Sequence, residues 1–464
     1  MSSHLWSGRF DAAPDPAAFD FGVSFPFDRR LFEDDVTGSL AWAQALADAG
    51  VLTAEDAARI RDGLAAILAQ GSAEPAWVSG PDEDVHAFVE RQLVDRIGEA
   101  GRRLHTGRSR NEQVSVDLRL YLRRRIPRLQ EKLRALITVL ADQADAAGDA
   151  LMPSYTHLRR AMPVLVAHYF LSHAAALQRD HDRLAAAAAE ADFLPLGSGA
   201  IAGTGYAVDT ATLAARLGFS RVVANSMDSS SDRDFVSSLL HACALSMVHL
   251  SRLAEDFILF TSEEFGFFDL ADATATGSSM MPQKKNPDPL ELVRGKAGRA
   301  IGHLTGFLAT MKSLPTGYNK DLQEDKEAVF GAEDTLAVSI DATAAVIARV
   351  TLRPEVTRAA AGGFLLATDV ADYLVGRGLP FRGAHEVVGR MVRHLIAEGR
   401  HFESLSVTEW RAFSDLFGDD VRERVTAEAS VGARRTPQST APAAVAAARG
   451  ALRAWLAEAA RGRA

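Results

Sequence analysis

The chain has 464 residues, 47% apolar and 24% charged, with a formal net charge of −9. That length allows two or three domains with a large core, and the acidity speaks against nucleic acid as a principal partner. Cys243 is the only cysteine, which excludes an intrachain disulfide and a cysteine-held metal cluster and leaves a buried, inert thiol as its expected role. Met1 to Phe10 holds no apolar leader core and no apolar run reaches membrane-span length, so the expected address is the cytoplasm.

Most of the remaining pattern is helical. Short helices are expected up to a break near Gly101 to Gly107. Residues 112 to 147 then carry apolar positions at three- and four-residue spacing, and residues 163 to 192 do the same, with Pro163 at a position that a first helical turn tolerates. Gly197 to Gly205 interrupts the pattern. No strand–turn–helix unit surrounds it, so it reads as a turn where backbone approaches substrate or another helix, or as a plain connection, and not as a dinucleotide fingerprint. Further long patterns run over 232 to 265, 287 to 312 and 321 to 350. Shorter helices return after a second break near Pro354 to Gly363, and Arg449 to Ala464 reads as an amphipathic helix with snorkelling arginines. Five long amphipathic helices imply a bundle, packed lengthwise and open to assembly with other subunits.

The segment most informative about chemistry is Gly277-Ser278-Ser279-Met280-Met281-Pro282-Gln283-Lys284-Lys285-Asn286-Pro287. It combines hydroxyls with fixed cations, a set suited to a reaction that builds negative charge on a small acid. Removing a carbon-bound proton beside a carboxylate creates a dianionic aci-carboxylate. Lys284 and Asn286 are candidates to stabilise it, and their field would make the alkoxide of Ser278 accessible as a base. Asn286 suits an N-cap, Pro287 a first helical position and Asp288 the positive end of the helix dipole. Two other clusters carry polar chemistry. Ser154-Tyr155-Thr156-His157-Leu158, ahead of an expected helix, offers a proton carrier. Thr106-Gly107-Arg108-Ser109-Arg110-Asn111-Glu112 offers a carboxylate clamp, or on local sequence alone a capped helix start with solvated arginines.

These blocks resemble the fumarase/aspartase superfamily, and the Gln283-Lys284-Lys285 wording resembles its argininosuccinate lyase branch. Further resembling segments follow in family order: Leu5 to Phe10, Ser24 before Asp28, Glu83-Asp84-Val85-His86, Asn225 to Phe235, Tyr318 to Lys326, Ala367 to Leu374 and Pro380 to His385. The resemblance implies an all-α, three-domain protein divided at 1–107, 108–355 and 356–464, with a long central helical bundle assembling as a homotetramer. It implies active sites shared between subunits, work without cofactor or metal, and no nucleic-acid or membrane partner. The implied reaction is reversible elimination of argininosuccinate to arginine and fumarate. Ser278, His157, Glu291 and Lys284 are the implied catalytic residues, with Glu291 the partner of His157. Ser24, Asp84, Arg110, Asn111, Thr156, Arg233, Asn286, Tyr318, Gln323 and Lys326 are the implied substrate contacts. Three positions depart from the family pattern: Arg159 and Met162 replace glutamines, and Glu112 replaces an aspartate. The scatter of these residues suggests that one chain alone would struggle to gather them. Two alternatives stay open: an adenylosuccinate lyase, whose loop usually has histidine where Gln283 stands, and a non-catalytic relative of the lens crystallin kind.

Overall fold

The protein is described by a computed structural model, which covers residues 15–461. The opening motif Leu5 to Phe10 lies outside the described residues. In chain order the principal elements begin with α1 (Phe32–Asp48), α2 (Ala54–Ala73) and α3 (Val85–Ile97). The long α4 (Arg110–Ala146) precedes a hairpin of β1 (Leu151–Thr156) and β2 (Arg159–Leu165), and α5 (Val166–Ala191) follows. Next come α6 (Asp234–Phe260), the short pair β3 (Thr276–Gly277) and β4 (Lys285–Asn286), α7 (Asp288–Met311) and α8 (Asp325–Ile347). The C-terminal part contains α9 (Ala367–Gly376), α10 (Phe381–Ala397) and α11 (Pro442–Ala460). No helix among the described residues is long and apolar enough to cross a membrane.

The all-α expectation holds, with strands among the described residues confined to short two-stranded pairs. The five long helices span 37, 26, 27, 24 and 23 residues. One start is corrected. Pro163 does not open a helix; it sits in β2 opposite Pro153, and α5 begins at Val166. The apolar run from Met162 to Val166 satisfies either period, and pairing with β1 decides it. Proline is tolerated in such a ladder because a two-stranded hairpin has only edge strands. A second correction is small: α7 begins at Asp288, where the carbonyl of Pro287 accepts from Leu290 and Glu291, and Asn286 belongs to β4.

The described chain falls into two compact units that cut across the long helices. Unit 1 holds the chain through Leu129 with Arg183–Ala244 and Ala300–Asp334; unit 2 holds Gln130–Asp182, Leu245–Arg299 and Thr335–Ala464. In unit 1, Tyr121 and Arg125 of α4 both bond the buried Glu333 of α8, and Arg119 of α4 donates to the carbonyl of Glu190 in α5. In unit 2, Gln130 of α4 donates to the carbonyl of His181 in α5, Lys132 of α4 pairs with Asp341 of α8, and Asp180 of α5 meets His249 of α6 at 2.7 Å. The helices therefore pack lengthwise, α4 against α5 and α8 in each unit. Unit 2 also has a separate apolar core from Leu366 to Val425, centred on Met391, Trp410 and Phe417. The arginines of α11 do not snorkel freely: Arg449 and Arg453 ion-pair with Asp142 and Asp145 of α4. Cys243 is buried as expected, and burial pushes its thiol pKa up, away from reactivity.

Candidate active site

Unit 1 contains a cleft of about 890 Å³ whose lining includes Ser24, Asp84, Arg110, Tyr318, Gln323 and Lys326. Six implied substrate contacts, drawn from four separate stretches of sequence, thus meet within one chain. Ser278, Lys284, His157 and Glu291, the implied catalytic residues, are not among the lining of the cleft. Local bonding explains how the six meet. Asp84 is the N-cap of α3 and accepts from the amide of Ala87 at 2.7 Å. The segment before α1 is latched to this cap: the Ser24 amide donates to the Glu83 carbonyl, Ser24 Oγ donates to Asp28 at 2.5 Å, and Asp28 accepts from the Val85 amide. Gln323 donates to the carbonyl of Gly22, and Lys320 pairs with Glu83 at 2.9 Å, closing the opposite wall. Two other expected contacts in unit 1 are not among the lining residues. Arg233 is fully buried and donates through Nε to Asp325 at 2.6 Å, while Asn111 donates to the carbonyl of Ala200.

The Gly-rich segment rests against this region of α4. Glu112 accepts from the amides of Gly197 and Gly199 at 2.7 and 2.9 Å, and from Ser109 at 3.1 Å. The segment is therefore a turn held to a helix start, and the glutamate that replaces an aspartate has the reach to hold it. Gly199 is obligatory: its φ is +59°, and a Cβ there would stand 2.5 Å from the Gly203 carbonyl oxygen.

Both signs of charge face the cleft. Burial opposes ionisation of Asp84, but Arg110 and His86 outweigh it and hold its pKa below the ordinary value. Asp325, behind Lys326, is likewise lowered against its burial by Lys326 and Arg233. Burial raises Asp28 and Tyr318. A pocket with fixed cations beside fixed carboxylates suits a ligand that carries both amino or guanidino groups and carboxylates.

Sequence reasoning missed the group behind the cleft. His86 Nδ1 lies 2.9 Å from Asp35 and 3.1 Å from Asp117, and all three side chains are buried. Burial disfavours the imidazolium, but Asp84, Asp117 and Asp35 outweigh it and push its pKa up to about 10. Burial and the neighbouring Asp35 raise Asp117 to about 8, whereas His86 keeps Asp35 low. The two aspartates and His86 are the one grouping among the described residues with metal-ligand proximity. One imidazole N–H already engages both carboxylates, so an internal cation does there what a metal would do. The His86 signal was present in Glu83-Asp84-Val85-His86, but no motif marks Asp35 or Asp117.

The remaining candidates belong to unit 2. Thr156 ends β1, and His157 and Leu158 form the two-residue tip of the hairpin with φ of 53° and 55°. Two non-glycine residues in the left-handed region cost about 1–2 kcal/mol each, and such strain collects at functional sites. Arg159 pairs opposite Thr156 at this exposed tip. Met162 meets Ser154 through its backbone, so losing a glutamine side chain there leaves those bonds in place.

The signature segment folds as a closed loop: Thr276 pairs with Asn286 and Gly277 with Lys285, which sets Ser278 and Lys284 at its two ends. Ser278 Oγ accepts from the amides of Met280 and Met281 at 3.2 and 3.0 Å. Donors aimed at that oxygen would also stabilise its alkoxide. Thr276 donates to Asp288 at 2.6 Å and Lys285 pairs with Asp272, which anchors the loop to the start of α7. Glu291 lies one turn along, exposed, 4.0 Å from Arg294. Among the described residues no hydrogen bond or ion pair joins His157 to Glu291, or Ser278 to either. A second cavity in unit 2, about 620 Å³, is lined by His168, His173 and His249 with Tyr155 and Tyr169.

Comparison with known proteins fits this geometry. A family model described as "Lyase" matches residues 8–302, and one described as "Argininosuccinate lyase C-terminal" matches residues 364–432. The argininosuccinate lyase of Roseiflexus castenholzii is 48% identical over 441 residues, covering 95% of this chain and 97% of its own. That of Moorella thermoacetica is 49% identical over 442 residues, covering 95% of each chain. Among solved structures, an EDDS lyase variant with bound fumarate superposes with a TM-score of 0.82 at 26% identity, covering 97% of this chain and 93% of its own.

Proposed function

The chain belongs to the argininosuccinate lyase family, and from that premise we propose how its residues carry out the reaction. It is a lyase that eliminates argininosuccinate reversibly to L-arginine and fumarate. The observation that carries the mechanism is the cleft in which Ser24, Asp84, Arg110, Tyr318, Gln323 and Lys326 converge from distant sequence. Arg110 and Lys326 hold substrate carboxylates there, and Asp84 meets the amino-acid end.

Chemistry requires a base and a sink for charge. Ser278, its oxygen already facing two loop amides, takes the Cβ proton. Lys284 and Asn286, on the same closed loop, stabilise the aci-carboxylate as it forms. His157, oriented by Glu291, delivers a proton to the leaving guanidinium nitrogen, and Thr156 beside it contacts substrate. Arg233 acts through the buried Asp325, and Asn111 holds the Gly-rich turn through the Ala200 carbonyl. The separation of His157 from Glu291 within the chain supports assembly as a homotetramer whose active sites draw on several subunits. With this reading go a cytoplasmic address and the three-part division at residues 107 and 355.

The test is fumarate release, followed by ultraviolet absorbance, with argininosuccinate and adenylosuccinate offered in parallel. Release from argininosuccinate alone, with arginine in equal amount, is expected. Release from adenylosuccinate alone would overturn the substrate assignment and leave the elimination chemistry intact. A folded protein that releases neither product would favour a non-catalytic relative.

A further inference from the structure

Arg110 is the first residue of α4, and its guanidinium receives a single hydrogen-bond acceptor among the described residues: Gln113 Oε1, one turn along, at 2.9 Å. The acids nearest to it, Asp84 and Glu90, stand at 3.7 and 3.9 Å, beyond hydrogen-bond reach. Gln113 is buried, at 1% exposure. Its other end donates through Nε2 to Asp35, and the same oxygen of Asp35 is held by His86 Nδ1, which Asp117 shares.

The direction of this chain is fixed by donor and acceptor types. A flipped amide would set its NH₂ against the guanidinium and its oxygen against the Asp35 carboxylate, two repulsive contacts in place of two bonds. The fully buried cluster of α1, α3 and α4 therefore determines which way the Gln113 oxygen points, and that oxygen determines where an otherwise loosely held guanidinium rests at the cleft. We propose that Gln113 is a positioning residue for the lyase reaction, transmitting the rigidity of the Asp35–His86–Asp117 cluster to Arg110. This rests on the reading of Arg110 as a substrate carboxylate clamp. Arg110 binds its carboxylate in the ground state and the transition state alike, so misplacing it weakens binding more than it slows chemistry.

A double-mutant cycle on the full-length enzyme tests this, with KM and kcat for argininosuccinate as readouts. Gln113→Met keeps volume and removes both bonds. It is expected to raise KM about tenfold with little change in kcat, the low end for losing one hydrogen bond to a charged group. Combined with Arg110→Ala, it should add nothing to the loss that Arg110→Ala causes alone. If the two losses multiply, or if Gln113→Met lowers kcat at constant KM, Gln113 does not act through Arg110. Gln113→Glu provides the second variant. It keeps the acceptor that Arg110 uses but replaces the donor to Asp35 with a second carboxylate, so the link to the cluster is cut and KM should rise as it does for Gln113→Met. A wild-type KM in Gln113→Glu would show that the Arg110 bond suffices without the Asp35 link and would overturn the proposal. Unchanged kinetics in Arg110→Ala would instead remove the clamp reading itself, a result distinct from multiplicative losses.

Discussion

Arg233 Nε donates to Asp325 Oδ2 at 2.6 Å with both side chains fully buried. Asp325 also accepts from Lys326 at 2.9 Å, so one carboxylate serves two buried cations beside the cleft. Removing it leaves both uncompensated. Asp325→Ala should cost roughly 3–5 kcal/mol of stability, the range for breaking a buried pair from one side. Urea unfolding of wild type and variant measures this, and a loss below about 1 kcal/mol would mean that the pair is worth no more than a surface bridge.

Ser278 is half-buried, and among the described residues its side chain bonds only to two amides of its own loop. Ser278→Ala should therefore lower kcat by at least about 100-fold, the lower bound for a general acid–base group, and leave the melting temperature unchanged. A variant that keeps near-normal kcat ends the serine-base assignment.

The buried cluster makes a prediction about alkaline pH. The folded-state pKa of His86, about 10, lies above its ordinary 6.5, so its contribution to stability is full below 6.5 and is lost as pH rises through 10. Asp117, raised to about 8, loses its contribution in the same direction between 3.8 and 8. Asp35 is lowered, so its contribution is lost only as pH falls, outside this window. Between pH 8 and 10 the cluster's slope thus belongs to His86. Melting temperature over that range should fall more steeply for wild type than for His86→Gln, and parallel curves would contradict the charged imidazole.

Gly199→Ala places a Cβ in the left-handed region against the Gly203 carbonyl. It should destabilise by at least about 1–2 kcal/mol and loosen the turn that Glu112 pins beside Asn111, lowering kcat/KM as well. Gly205→Ala is the control: nothing lies within 4 Å of its added carbon, and stability should move by less than about 0.5 kcal/mol. Equal effects at both positions would show that the Gly203 contact is not what constrains the turn.

The helices were legible because apolar spacing survives any tertiary context. All five long ones form, with ends shifted by a few residues. The hairpin was not legible, since the residues from Met162 to Val166 fit a helix start as well as a strand and only their partners across the ladder distinguish the two. At the site, the closed loop at Ser278 and the cleft residues were visible as motifs. Asp35 and Asp117 were not, because an acid on an amphipathic helix ordinarily faces water, and nothing local marks these two as turned inward toward His86. Gln113 was hidden for the same reason: its role lies in what both ends of one amide touch.

The proline pair in the hairpin carries a consequence for a protein whose chains are expected to assemble side by side. Pro153 and Pro163 face each other across the ladder, and neither has an amide hydrogen to offer. At that rung both outer edges lack a donor, so a strand from another molecule cannot extend the sheet in register through it. Both prolines are also buried, so the base of the hairpin offers no free edge, and only its tip, with His157, is exposed.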